Sequence, residues 1–97
     1  MNIPDKVKIG GFTYDVAMVD RLAKGEEYGA VIDYANITIE ISTQCSKQRN
    51  EHDFLHEVVH AIFDNLGYTE QDEKQVDELA GSIYQLIIDN PLIFKEG

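Results

Sequence analysis

The residues richest in chemistry in this sequence are His56-Glu57-Val58-Val59-His60. On a helix, histidines four positions apart lie one turn apart on one face, where both imidazoles can reach a single tetrahedral zinc ion. Glu57 projects about 100° round the helix from His56, which lets it address a water at the metal instead of becoming a ligand itself. All three histidines of the chain stand at this spacing, at His52, His56 and His60. About 12 Å of helix rise separates His52 from His60, too far for the two to share an ion. His52 is therefore read as a partly exposed polar residue, with a substrate or oxyanion contact as the alternative.

A zinc site of this type takes a third protein ligand, often a carboxylate, and leaves the fourth position to water. If a second helix returns antiparallel about Gly67, residues whose numbers sum to about 133 sit at equal height. His60 then faces Glu73, and His56 faces Asp77. These acids are themselves four apart and share one helical face. Glu73 is the expected ligand, and the shorter Asp77 is expected to accept the second ring N–H of His56, fixing its tautomer. Glu78 points about 100° further round than Asp77 and ranks behind it. The bland alternatives are a surface row of histidines and a solvated acidic face in the segment EQDEKQVDE.

The elements that must position these groups follow from the apolar periodicity. The stretches VKIGGFTYDVAMV (7–19), YGAVIDY (28–34) and ITIEIS (37–42) alternate or are β-branched and read as three strands, with a possible split at Gly10-Gly11. From Ser46 the period becomes helical. Phe54, Leu55, Val58, Val59, Ile62, Phe63 and Leu66 mark a first helix over about 47–66, capped by Ser46 and stopped by Gly67. The middle of its apolar stripe runs near Leu55, Val59 and Leu66, with His56 and His60 along one edge. Thr69 and Asp72 resemble a capping pair for a second helix over about 70–89, with Val76, Leu79, Ala80, Ile83, Tyr84 and Ile87 on one face. An apolar tail, 91–97, follows. The expectation is an α+β domain over 1–97, a small antiparallel three-stranded sheet followed by a two-helix hairpin.

Composition narrows the function classes. Eighteen acidic against eight basic residues give a net charge of -10, which repels phosphate backbones and anionic membranes. No nucleic acid and no membrane are expected as partners. The absence of a long apolar run or a signal-like amino terminus, and a lone Cys45, suit a cytoplasmic protein. Cys45 is read as a plain small residue. The oligomeric state and the substrate identity are open.

With HEVVH at 56–60 and EKQVD at 73–77, the chain resembles the gluzincin metallopeptidases, whose third zinc ligand comes from a glutamate helix reading E-x-x-A-D or similar. In size and layout it is similar to minimal gluzincins of phage and prophage type, and to the catalytic cores of ImmA/IrrE-type and HtpX-like peptidases. The resemblance implies zinc held by His56, His60 and Glu73, Glu57 as general base and acid, Asp77 in support, and hydrolysis of a protein or peptide substrate. It also implies that ITIEIS is an edge strand that pairs with extended substrate. Tyr68 and Tyr84 are candidate oxyanion donors, Tyr84 being the better fit to packing. The alternative is a catalytically latent zinc-binding protein acting as a binding or regulatory module, its tail PLIFKEG folded over the metal; a metal-free interaction domain is a third reading.

Overall fold

The computed structural model describes residues 1–22 and 29–93. The first alternating segment becomes two strands, β1 (Lys6–Ile9) and β2 (Phe12–Val19), joined by a two-residue turn at Gly10 and Gly11, both at positive φ. A second hairpin follows, β3 (Ala30–Asp33) against β4 (Thr38–Ser42), with Ile32 opposite Ile39. The hairpins join through β2 and β4, which run parallel, Val16 opposite Ile39 and Met18 opposite Ile41.

The sheet is thus four-stranded and mixed, in the order β1-β2-β4-β3, and not the expected three-stranded antiparallel one. The Gly-Gly turn splits the first segment, and the chain forms β3 on the far side of β4 before the second hairpin returns β4 to the flank of β2. Side chains alternate with period two in either strand direction, so the sequence pattern is silent on direction. The same insertion corrects the reading of ITIEIS as an edge strand. Hydrogen-bonded on both flanks, β4 is interior, and Ile39 and Ile41 are wholly buried. The edge strands are β1 and β3.

Ser46 caps α1 (Lys47–Asn65) by accepting from the Arg49 backbone N–H at 3.2 Å. At its other end Gly67 takes φ 97°, the Gly67 N–H donates to the Asp64 carbonyl and the Tyr68 N–H to the Phe63 carbonyl, both at 3.0 Å. The rings of Phe63 and Tyr68 meet edge to face at 5.5 Å. This is a Schellman stop with its apolar clasp, and it turns the chain back along α1. Leu66, expected in the apolar stripe, is the cap residue and 64% exposed, because the helix ends before it can face the core.

The second helix, α2 (Glu73–Asp89), starts later than expected. Asp72 caps it alone, accepting from the Lys74 and Gln75 N–H groups, and Thr69 takes no part. The delay has a cause: the Gln71 side chain donates to the carbonyls of His60 and Tyr68 and holds residues 68–71 as a connection. The core lies where α1 meets β1, β3 and β4 on one side and α2 on the other. Since α2 rests on α1, only Val76 and Ala80 of α2 are buried, and Leu79 of its expected stripe is not. Being covered on both sides, α1 also buries polar residues, among them Asp53, Glu57 and His60. No helix among the described residues is long and apolar enough to cross a membrane.

Candidate metal centre

Hairpin geometry brings the two polar rows together. His60 Nε2 lies 2.8 Å from Glu73 Oε1, and His56 Nε2 lies 3.0 Å from Glu73 Oε2. The two imidazoles, ring centres 4.9 Å apart, thus point the same nitrogen at one carboxylate. One ligand atom from each of His56, His60 and Glu73 falls within 4.8 Å of the other two, close enough for a single metal ion.

The other ring nitrogens are occupied. His56 Nδ1 is 3.0 Å from Asp77 Oδ1, and His60 Nδ1 is 2.6 Å from Gln71 Oε1. Asp77 Oδ1 and Gln71 Oε1 are acceptors for the two Nδ1–H groups, and a metal ion at the shared point would take the two Nε2 lone pairs that now face the Glu73 carboxylate. Two imidazole nitrogens and one carboxylate form a donor set that can bind a divalent metal ion.

The same residues border a cleft of about 440 Å³. One wall is the edge strand, with Ala30, Val31 and Ile32 of β3 and Tyr34 just beyond it. The other wall holds His56, Glu57, His60 and Glu73. Glu57, in the turn between the histidines, is buried and lines this cleft. Burial pushes the Tyr34 hydroxyl up to about 12, a shift that the nearby charges of Asp64 and Glu57 reinforce and a hydrogen bond with Gln71 opposes. Tyr34 therefore stays a neutral phenol far above neutral pH.

Other expected residues lie elsewhere. Glu78 is exposed and outside the group. His52 is also outside it; its Nδ1 is 3.2 Å from Asp53 Oδ1 and its Nε2 3.7 Å from Asp77 Oδ1. The Tyr84 hydroxyl donates to buried Glu51 at 3.0 Å, and Tyr68 packs on Phe63, so neither lines the cleft. Cys45 is a free thiol, partly buried. Leu92 and Ile93 of the tail are exposed and do not line the cleft, and residues 94–97 lie outside the described residues.

Sequence reasoning missed Gln71 and Tyr34. Gln71 is within reach of the equal-height rule, since 60 and 71 sum close to about 133 and the expected helix over about 70–89 includes it, but the rule considers only carboxylates as partners of the histidines. Tyr34 carries no local signal.

An α+β fold with a four-stranded mixed sheet, and a His-His-Glu group able to bind a metal ion, describe this chain. Comparison with protein-family models, curated proteins and solved structures finds no match to it.

Proposed function

We propose that the chain is a zinc-dependent metallopeptidase. The observation that carries this reading is the convergence of His56 Nε2, His60 Nε2 and the Glu73 carboxylate on one point, with Glu57 beside them in a cleft walled by an edge strand. A zinc ion held there supplies a Lewis acid and lowers the pKa of a water. Glu57, beside the ligand group, would act as the general base that accepts a proton from the attacking water and as the acid that returns it to the leaving amine. Asp77 and Gln71 keep the protons of His56 and His60 on Nδ1 throughout. Tyr34, still protonated, is the hydrogen-bond donor that the cleft offers to a developing oxyanion. The outer edge of β3, in place of the interior β4, is where an extended peptide adds as a further strand.

The test combines metal content with cleavage. Protein purified without a metal-affinity tag should carry near-stoichiometric zinc by elemental mass spectrometry, and Glu73→Ala should lose most of it. Zinc-loaded wild type should cleave a proteome-derived peptide mixture. Glu57→Gln should keep its zinc and lose about 10²- to 10⁴-fold in rate. Absence of zinc after reconstitution, or equal cleavage by Glu57→Gln, overturns the reading.

A further inference from the structure

A second hollow of about 170 Å³ continues the cleft past the histidines. It shares His56, Glu57 and Glu73 with the main cleft and adds Asp53, Asp77 and Arg49. Among the described residues, Arg49 is the only Lys or Arg that lines either hollow, beside the carboxylates of Asp53, Glu57, Glu73 and Asp77.

Arg49 is held at one end and exposed at the other. Its Nε donates to Asp53 Oδ2 at 3.0 Å, one helical turn away, while its side chain remains 66% exposed. Asp53 is itself buried, and its Oδ1 is engaged by His52 Nδ1. The backbone at Gly29 crosses directly over this carboxylate: a Cβ at that position would collide with Asp53 Oδ2. The Gly29 carbonyl accepts from the Ser42 N–H at 2.9 Å, which pins the entry to β3 in the sheet. The guanidinium is therefore anchored through its Nε beside the entry to the strand that walls the cleft, and its side chain stays largely exposed, leaving a guanidinium edge for a further partner. That geometry matches a carboxylate in bidentate fashion.

We infer that Arg49 is a specificity-determining residue that binds a carboxylate of the peptide, either an acidic side chain near the cleaved bond or a free C-terminus. This rests on the reading of the cleft as a peptide site. The net charge of -10 sharpens the inference, since a carboxylate is repelled by this chain on average and gains only beside an exposed cation. A preference for anionic peptides is thus the opposite of what bulk electrostatics gives. The interaction is partly exposed and weakens with added salt.

The test is an NMR titration of ¹⁵N-labelled Glu57→Gln protein, zinc-loaded and metal-free, with three series of acetylated hexapeptides. One carries a single glutamate with an amidated end, one carries glutamine there, and one has no acid but a free C-terminal carboxylate. The glutamate or the free-acid series should bind about tenfold more tightly than the glutamine series, with the Arg49 Nε–H signal shifting, and the favoured series names the source of the carboxylate. Arg49→Gln should bring the ratio close to one, and Arg49→Lys, which keeps the charge without the fork, should fall between. Equal affinity for all three series in the Glu57→Gln protein that retains Arg49, or a preference that survives Arg49→Gln, overturns the inference. A preference lost in Arg49→Gln in a protein that takes up no zinc retains Arg49 and sinks the peptidase reading; zinc-dependent cleavage with no carboxylate preference does the reverse.

Discussion

Replacing Gln71 with leucine should weaken zinc binding more than replacing Asp77 with leucine, although a carboxylate is the stronger acceptor. Gln71 Oε1 is 2.6 Å from Nδ1 of a buried His60. Without it the Nδ1–H is buried with no acceptor, at a cost of about 1–3 kcal/mol. The ring can escape only by moving its proton to Nε2, which removes the lone pair that faces Glu73. Either way the penalty falls on the metal-bound state, and 1–3 kcal/mol corresponds to roughly 5- to 150-fold in the dissociation constant. Asp77 is 59% exposed, so water can take over the His56 Nδ1–H, and the loss should stay below about tenfold. Competition against a chromophoric zinc chelator near neutral pH measures both, with circular dichroism confirming that each variant is folded. Gln71→Glu keeps an acceptor at similar reach and should bind zinc as wild type does. A folded Gln71→Leu protein that binds zinc within twofold of wild type, or one less affected than Asp77→Leu, would refute the argument that buried tautomer control sets the affinity.

Two further outcomes follow from the packing. Gly29→Ala places a methyl group on the Asp53 carboxylate and should destabilise the fold by about 1–3 kcal/mol, lowering Tm by about 5 to 20 °C; an unchanged melt would mean that the close approach relaxes freely. Tyr34 is a group whose folded pKa, about 12, lies above the ordinary value of 10.0, so the stability it contributes is complete below pH 10 and is lost as pH rises through about 12. Between those limits the unfolded chain releases a proton that the native state keeps. Urea midpoints should therefore fall less steeply over this window in Tyr34→Phe than in wild type, and parallel curves would contradict the assignment.

The helical hairpin and its polar seam were legible because their signals are local. Histidines at 56 and 60 share a face by helix geometry alone, Gly67 supplies the positive φ that a Schellman stop needs, and a tight antiparallel return then fixes which acid meets which histidine. The facing of His60 with Glu73 and of His56 with Asp77 follows from counting residues about one turn. The cap falls at Asp72 and not at the expected Thr69 for a tertiary reason, since Gln71 is drawn to the His60 carbonyl across the hairpin.

The sequence by itself determined the alternation of apolar residues that makes strands, the period that makes helices, and the spacing of groups on each helix face, because each depends on neighbours a few positions away. Only the tertiary structure decided strand direction, the interior place of β4, and the arrival of β3 beside the histidines, because period-two alternation is identical for parallel and antiparallel pairing and for edge and central strands. It also decided which polar residues surround the histidines. Gln71 and Tyr34 come to the histidines through contacts between separate elements, whereas Arg49 shares α1 with them and meets the hollow only because the entry to β3 is laid against that helix.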